Sequence, residues 1–383
     1  MNIRFCKVKM QLWLFTLIAL SFQAQISSAR VVCYFQSWAV YREGNGYFQI
    51  SDIDTSLCTH HIYAFASINS NAEVTVEDSY ADEDLGGFSK FNDLQNSGVT
   101  TMIAIGGASA PSDTFADIVK NKRSSFVNNI VNFISSHGFQ GADIDWEYPS
   151  QDEKSAFVEL LKDLRSRFDE HGWVLSIAVS AGYETIDAGL DVPAISQYVD
   201  FFNVMTYDMH GYWEGKTGEN SPMYVGPADT SDYEKTQNVD YIMNYYVNKG
   251  APENKLNLGI GTYGATFTLE SSSNYAVGAP STGPGNAGPY LGDQGELGYQ
   301  EICEMHNNGQ LTQHWNEEQK AMYAYKGDQW VGFDSIAAVK IKAQYAKNHG
   351  YGIMIWSIDM DDFSNLCGDG KYPLLNTINQ YLN

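Results

Sequence analysis

Amphipathic segments alternate with short apolar runs along most of the chain. Four amphipathic segments repeat apolar residues at intervals of three or four, as one face of a helix requires. They end at Gly138, Gly172, Gly250 and Gly350. Glycine readily adopts the left-handed conformation that closes a helix. A new apolar run begins within a few residues of each of these glycines, which predicts repeating β–α units.

Eight apolar runs have the length and continuity of buried parallel strands. They cover residues 31–35, 62–65, 101–105, 141–146, 174–179, 201–206, 256–262 and 352–356. Eight strands alternating with helices predict an α/β protein with a closed (β/α)8 fold, the TIM barrel. The alternative is an open doubly wound sheet, which usually carries a glycine-rich phosphate loop after its first strand. Gln36-Ser37-Trp38 does not resemble such a loop.

The seventh and eighth predicted strands are separated by about 90 residues, far more than one crossover needs. Glycine, proline, serine and asparagine dominate the first part of this segment, and short mixed segments follow. We therefore expect a small α+β lobe at residues 268–331, inserted between strands seven and eight beside the mouth of the barrel.

The amino terminus is typical of a secretory signal peptide. Three cations precede an apolar stretch at 12–22 that is too short to span a membrane. Ser27-Ser28-Ala29 fits a cleavage site, and cleavage after Ala24 is the alternative. We expect residues 1–29 to be removed and residues 30–383 to be secreted to the extracellular space as a soluble protein.

Four cysteines remain once Cys6 leaves with the signal peptide. An even number of cysteines in an oxidising compartment predicts two disulfides, and the sequence alone allows three pairings. The four are Cys33, Cys58, Cys303 and Cys367.

The formal net charge of −23 restricts the class of partner. Nucleic acids and anionic membranes need Lys and Arg to neutralise their phosphates, so we expect neither as a partner. Aromatic residues make up 14% of the chain, and most of them are expected to fill the core. The eight histidines show no metal-ligand spacing, and there is no phosphate loop or nucleophile-elbow motif. We expect neither a metal nor a cofactor.

Three carboxylates share one face of the fourth predicted strand. Side chains alternate along a strand, so Asp143, Asp145 and Glu147 point one way, while Ile144 and Trp146 point toward the helices. Like charges this close cannot all ionise, so at least one pKa should rise. A solvated edge strand would be the alternative, but the helices predicted on both sides favour a buried strand. Carboxyl groups with a raised pKa are the tools of glycoside cleavage.

This strand resembles the DxxDxDxE motif of glycoside hydrolase family 18, the chitinases and chitinase-like lectins. The motif occupies residues 140–147, and Tyr148-Pro149 continues it. Further motifs of the family match in order along the chain. They lie at 32–35 with Trp38, 58–65, 205–211, 285–290, 325–332 and 354–363. The resemblance thus extends from about Arg30 to the carboxyl terminus.

The resemblance implies retaining, substrate-assisted cleavage of β-1,4 N-acetylglucosamine linkages in chitin and its oligosaccharides. Glu147 would protonate the glycosidic oxygen, and Asp145 would orient the substrate's 2-acetamido group as it attacks the anomeric carbon. Asp143 would share a proton with Asp145, and Tyr207 would hydrogen-bond the acetamido group. The residues implied to bind substrate are Tyr34, Trp38, Phe65, Tyr148, Met205, Asp208, Tyr263, Met354 and Trp356.

The resemblance also implies the pairings Cys33–Cys58 and Cys303–Cys367. Nothing after the barrel resembles a chitin-binding module, so we expect residues 30–383 to be a catalytic domain that acts as a monomer on chitin.

Four positions depart from the family pattern. Gln140 replaces the first Asp of the motif, and Ala108 stands where a Trp usually offers a stacking surface for the leaving sugars. Ala265 replaces an Arg of the pocket wall, and Tyr246 stands where a Trp is common on the leaving-group side. These departures keep open a second hypothesis, a chitinase-like lectin or growth-factor-like protein with little turnover. A third hypothesis, a glycosidase acting on N-linked glycans, is disfavoured by the inserted lobe.

Overall fold

A computed structural model describes residues 29–383. Residues 1–28, which include almost all of the expected signal peptide, lie outside the described residues. Within residues 29–383, no helix is both long enough and apolar enough to cross a membrane.

Eight parallel strands form a closed barrel. They are β1 (Val31–Gln36), β2 (His60–Ile68), β4 (Thr100–Gly106), β5 (Gly141–Asp145), β6 (Val174–Val179), β7 (Phe201–Val204), β8 (Leu256–Gly261) and β15 (Gly352–Trp356). The ring closes because β1 pairs with β2 on one side and with β15 on the other. A short strand, β3 (Val74–Val76), extends β2 in antiparallel fashion. The predicted TIM barrel is confirmed, with all eight predicted strands in place.

Most of the α-helices among residues 29–383 surround the barrel and pack their apolar faces against it, and the eighth belongs to the lobe described below. They are α1 (Gly87–Asn92), α2 (Ser112–Asn121), α3 (Arg123–His137), α4 (Lys154–Asp169), α5 (Tyr183–Gly189), α6 (Val192–Ile195), α7 (Val239–Asn248), α8 (Tyr299–Asn307), α9 (Ile336–His349) and α10 (Pro373–Leu382). Gly138 and Gly350 close α3 and α9 with φ of 85° and 73°, in the left-handed region that favours glycine.

A second, antiparallel sheet forms the lobe between β8 and β15. Its strands are β9 (Tyr263–Leu269), β10 (Ser281–Pro284), β11 (Glu296–Gly298), β12 (Thr312–Asn316), β13 (Ala321–Lys326) and β14 (Gln329–Phe333). The order is β10-β9-β14-β13-β12, and β11 pairs with β9. This sheet begins at Tyr263, five residues before the expected start of the lobe at 268. Only Thr262 separates β9 from β8, so the hydrophobic pattern offers no break there.

The disulfides are Cys33–Cys58 and Cys303–Cys367, with Cα–Cα distances of 6.1 and 5.7 Å. The pairing implied by the family resemblance is therefore confirmed. The first bridge links β1 to the segment before β2, and the second ties α8 of the lobe to the segment after β15.

The strand that carries the three carboxylates is fixed by apolar contacts on its outer face. Trp146 is buried, stacks on Phe115 at a ring-centroid distance of 5.3 Å and meets Phe157 edge-on at 5.5 Å. Its indole nitrogen donates to Ser112 Oγ at 2.8 Å. Because Trp146 is anchored among the helices, the alternating residues Asp143 and Asp145 must point into the barrel.

Candidate active site

A pocket opens at the carboxyl ends of the barrel strands, where TIM-barrel enzymes place their chemistry. Most of the residues that the sequence suggested for substrate binding and catalysis line it. These are Tyr34, Trp38, Phe65, Asp145, Glu147, Tyr148, Met205, Tyr207, Asp208, Tyr263 and Trp356. They lie within or shortly after six of the barrel strands, namely β1, β2, β5, β7, β8 and β15, so the closing of the barrel brings them together.

Aromatic rings form one wall of the pocket. Trp356 is half-buried at the end of β15, with Phe65 stacked beside it at 5.7 Å and the edge of Tyr34 at 5.4 Å. Trp38 stacks on Phe65 at 6.0 Å and leaves 39% of its surface exposed at the rim. Such flat, fixed rings suit the C–H faces of sugar rings, which are apolar.

Asp143 lies beneath the pocket and is fully buried. Its Oδ2 accepts a hydrogen bond from Tyr34 Oη at 2.6 Å, and its Oδ1 accepts from Ser176 Oγ at 2.5 Å and Asn203 Nδ2 at 3.1 Å. Burial raises the pKa of Asp143, and the three hydrogen bonds oppose that rise. With both oxygens occupied, Asp143 acts on its neighbour Asp145 and cannot contact a ligand directly.

Asp145 is buried but faces the pocket. Burial raises its pKa well above the ordinary value, and the negative charges of Glu147 and Asp143 raise it further. Its Oδ1 has no hydrogen-bond partner among the described residues. Because an unsatisfied buried oxygen is costly, this atom is placed to receive a donor from a ligand.

Glu147 is the outermost of the three carboxyl groups. Burial raises its pKa, as does the charge of Asp208, while a hydrogen bond from Tyr148 opposes the rise. Asp208 is itself enclosed, with its Oδ1 accepting from Tyr263 Oη at 2.5 Å, and burial raises its pKa too. A carboxyl group that holds its proton near neutral pH can act as a general acid.

Met354 is the one implied substrate-binding residue that the structure removes from the pocket wall. Its side chain is fully buried inside the barrel and does not line the pocket. Its sulfur accepts a hydrogen bond of 3.8 Å from Tyr207 Oη. Direct substrate contact by Met354 is therefore wrong, because Tyr207 lies above it and it supports that ring from below.

The structure also locates the four departures from the family pattern. Ala108 lies exposed in the pocket wall, as expected for a lost stacking surface. Gln140 precedes β5, at the opposite end of the strand from Glu147, and its Oε1 accepts from the backbone N–H of Thr101 at 3.3 Å. Ala265 packs in the lobe core and does not line the pocket.

Tyr246 is not a surface for leaving sugars. It is fully buried on α7, and its Oη donates to the carbonyl oxygen of Ser180 at 2.7 Å. Tyr246 occupies the apolar face of α7, which packs against the barrel, so it does not supply the leaving-group contact that a Trp commonly makes in the family.

Several pocket residues escaped the sequence analysis, and three of them carry large polar side chains. Glu296 reaches the pocket from β11 of the lobe, and desolvation together with the charges of Asp208 and Asp293 raises its pKa to about 7. Tyr233 and Gln237 line the pocket from the loop before α7. No local pattern marks these residues, because their position depends on how the lobe and this loop fold over the barrel.

The charge of the pocket is one-sided. Asp145, Glu147, Asp208 and Glu296 line it, whereas neither Lys nor Arg does so among the described residues. Such a pocket disfavours anionic ligands and fits a neutral ligand that has apolar faces and polar edges. The only group of three potential metal ligands within residues 29–383 comprises Cys303, Asp362 and Cys367, and its two sulfurs form a disulfide.

A TIM barrel whose mouth holds carboxyl groups of raised pKa beside an aromatic wall has the architecture of a glycoside hydrolase. Residues 30–361 match the family model described as glycosyl hydrolases family 18, and the chain belongs to this family. Chitotriosidase-1 of Mus musculus is 40% identical, and the alignment covers 93% of this chain and 79% of that protein. Probable chitinase 10 of Drosophila melanogaster is also 40% identical over 93% of this chain, which spans only 16% of that relative.

Solved structures show the same similarity. The Group IV chitinase of Ostrinia furnacalis superimposes with a TM-score of 0.90 at 38% identity, covering 92% of this chain and 99% of that one. Human YKL-39, described as a pseudo-chitinase with retained chitooligosaccharide binding, superimposes with a TM-score of 0.87 at 36% identity, over 92% and 99% of the two chains. The relatives therefore include both an enzyme and a binding protein.

Proposed function

We propose that this protein is a secreted chitinase that hydrolyses β-1,4 N-acetylglucosamine linkages with Glu147 as the general acid. The observation that carries the proposal is the free Oδ1 of Asp145, which is buried in the pocket beside Glu147. Glu147 is placed to donate a proton, and Asp145 has an oxygen that can accept a hydrogen bond from an amide N–H. This pair matches the two demands of substrate-assisted cleavage.

In the first step, the Glu147 carboxyl donates its proton to the glycosidic oxygen as the C–O bond to the anomeric carbon breaks. The carbonyl oxygen of the substrate's 2-acetamido group forms a bond to the same carbon, giving a cyclic oxazolinium ion. The proton that Asp143 and Asp145 share passes to Asp143, and the Asp145 carboxylate accepts the amide N–H and stabilises the positive charge. Tyr207, which also lines the pocket, holds the acetamido group in place.

In the second step, water attacks the anomeric carbon from the face that the leaving sugar vacated. The Glu147 carboxylate takes up the proton of that water, and the oxazolinium ring opens to restore the acetamido group. Two inversions at one carbon give net retention of configuration. The enzyme returns with Glu147 protonated.

Secretion forms part of the same proposal. It is supported by the signal-like amino terminus and by two disulfides, which persist in oxidising compartments.

A lectin-like function is the second candidate, and Ala108 is the observation that favours it. Ala108 leaves the pocket wall without the large ring expected there, which weakens the grip on the leaving sugars. The intact Asp143, Asp145 and Glu147 favour the enzyme.

The test compares residues 30–383 with its Glu147→Gln variant, which removes the proton and keeps the shape. We expect the wild type to cleave a fluorogenic chitotrioside, and the variant to lose about 10²–10⁴-fold in kcat while it still binds chitohexaose. Glu159→Gln, the same change on the outer surface of α4, serves as the matched control and should leave kcat unchanged. Binding of chitohexaose by the wild type without turnover would establish the lectin instead.

A further inference from the structure

A row of tyrosines leads out of the pocket and over the outside of the barrel. Tyr233 lines the pocket, and its ring lies 6.2 Å from that of Tyr183. Tyr183 lies 6.2 Å from Tyr245, which in turn stacks on Tyr241 at 5.8 Å with an interplanar angle of 15°. The row therefore connects the pocket to the exposed surface of α7 without a gap.

The row ends in a surface groove, here called the tyrosine groove. Tyr241 and Tyr245 of α7 form one side and Tyr224 with Val225 the other, and Asn244 and Asn248 lie along it. Tyr224 and Tyr241 each expose 37% of their surface. Large aromatic rings gathered on a surface commonly mark a binding site, because water solvates their faces poorly.

The chemistry of the groove resembles that of the pocket in two respects. Both offer aromatic faces, and neither is lined by a cluster of cations among the described residues. Lys235 and Asp240 contribute one charge of each sign to the groove, and the net charge of the chain is −23. An anionic polymer is thereby disfavoured, while a neutral polymer with acetamido groups and apolar ring faces fits.

We propose that the tyrosine groove binds a remote part of the same N-acetylglucosamine polymer whose scissile bond lies in the pocket. The groove is assigned the same polymer as the pocket because the row of rings joins the two: Tyr233 belongs to the pocket wall, and each later ring is in contact with the one before it. The groove takes the chain on a different side of the mouth from Trp38, because β1 and β7 are separated by β15 and β8 in the barrel. This inference rests on the proposed function for the identity of the polymer.

The proposal separates long substrates from short ones. A chitotrioside fills the pocket and ends before it reaches α7, so removal of the groove rings should leave its hydrolysis unchanged. Polymeric chitin reaches both places and should lose affinity when the rings are removed.

The test uses the double variant Tyr224→Ala/Tyr241→Ala in residues 30–383, with Tyr275→Ala as the matched control. Tyr275 is also 37% exposed and also stacked on another tyrosine, Tyr325, but it lies on the lobe. Turnover of a fluorogenic chitotrioside and of colloidal chitin is measured for each protein. Adsorption to colloidal chitin is measured in the Glu147→Gln background, so that hydrolysis does not consume the surface.

For the double variant we expect kcat/KM on colloidal chitin, and affinity for it, to fall about three- to tenfold, in line with the loss of two aromatic contacts. Turnover of the trioside and all properties of Tyr275→Ala should remain within twofold of the wild type. Tyr224→Phe/Tyr241→Phe should restore chitin binding, since stacking needs the ring and not the hydroxyl. If the double variant fails to fold, Tyr224→Ala alone should reduce adsorption at least twofold.

If a folded double variant adsorbs to chitin and turns over the polymer as the wild type does, the tyrosine groove does not bind the polymer, and the proposal is overturned. The failure of the proposed function looks different: the wild type would not cleave the trioside, yet its adsorption to chitin would still fall when the two tyrosines are removed. That second result would support the groove and reject the hydrolytic activity.

Discussion

Two groups of enclosed acids among residues 29–383 differ in whether a buried cation accompanies them. Beneath the lobe, Asp334 pairs with Lys342 at 2.5 Å, and both side chains are buried. At the pocket, Asp143 and Asp145 are buried and Glu147 is half-buried, but none of the described residues that line the pocket is Lys or Arg. Burial costs free energy in both places, and the two clusters offset this cost differently.

The paired cluster has a structural consequence. Lys342 Nζ donates to Asp334 and also to Oγ and the carbonyl oxygen of Ser221, at 2.6 and 2.7 Å. Ser221 Oγ donates to the carbonyl oxygen of Thr206, next to Tyr207. The cation thus holds the end of the lobe, α9 and the loop after β7 together. Burial raises the pKa of Asp334, and the charge and hydrogen bond of Lys342 oppose that rise.

The unpaired cluster has a chemical consequence. Without a cation, its carboxyl groups reduce the cost of burial by keeping protons, and the retained proton is what a general acid needs. The reactivity of a buried acid therefore depends on whether a cation accompanies it.

The largest effect is expected where the pair is broken. Lys342→Met should lower the free energy of unfolding by about 3–5 kcal/mol, because it leaves Asp334 buried without a partner. Lys235→Met is the control, since its pair with Asp232 is exposed and should contribute about 1 kcal/mol or less. Urea unfolding monitored by tryptophan fluorescence measures both. Equal effects would contradict the distinction between buried and exposed pairs.

The next effect concerns the unpaired acids. Asp145→Asn should lower kcat on a chitotrioside about 10²–10³-fold, since the charge that stabilises the oxazolinium ion is lost. The same change should raise the melting temperature at pH 8, because it removes a buried carboxyl whose ionisation is disfavoured. Calorimetry at pH 8 and pH 4 measures the melting temperature of both proteins. An increase for the variant that is no larger at pH 8 than at pH 4 would count against a raised pKa for Asp145.

Glu219 lies near the Lys342 cation without pairing to it, so it shows what burial without an ion pair does to a carboxyl group. Its Oε2 has no partner among the described residues, and burial raises its pKa to about 8. The folded state therefore holds this proton more tightly than the unfolded state, so Glu219 should contribute a loss of about 1 kcal/mol per pH unit to the free energy of unfolding as pH rises from 5 to 8. Glu219→Gln should make the measured slope shallower by about that amount in urea unfolding, while the other carboxyl groups of raised pKa keep their share, and an unchanged slope would show that Glu219 does not titrate in this range.

The smallest effect tests whether sugar binding can be changed without altering the acids. Ala108→Trp should tighten chitohexaose binding about fivefold, because it returns a stacking surface to an exposed position of the pocket wall. The pH dependence of turnover should not move, since Ala108 contacts none of the carboxyl groups by hydrogen bonding. Titration calorimetry and pH–rate profiles distinguish the two quantities.

The sequence predicted the barrel and the catalytic strand well because both depend on periodic patterns. The alternation around Asp143, Asp145 and Glu147 fixes which side chains face inward, and the glycines after α3 and α9 mark the helix ends. Residues whose position depends on packing between distant segments were harder to place from the sequence. Met354 was predicted to contact the substrate but is buried, because a sequence motif indicates which segment lies near the site and not how deeply each side chain is buried.

The lobe shows the same limit. Its first strand continues from β8 almost without a break, and Glu296 enters the pocket from a strand of only three residues. Neither feature has a hydrophobic period long enough to detect. The tyrosine groove combines residues 224–225 with α7, so its rings become neighbours only in the folded protein.

The pH dependence of kcat/KM for a chitotrioside between pH 3 and 9 tests directly whether Glu147 is the general acid. Glu147 must be protonated to act, so activity should be lost as pH rises through its pKa, which burial raises from the ordinary 4.5. We predict that the upper limb of the profile lies above 4.5. An upper limb at or below 4.5 would show that the pocket does not hold the proton of Glu147, and would contradict its role as the general acid.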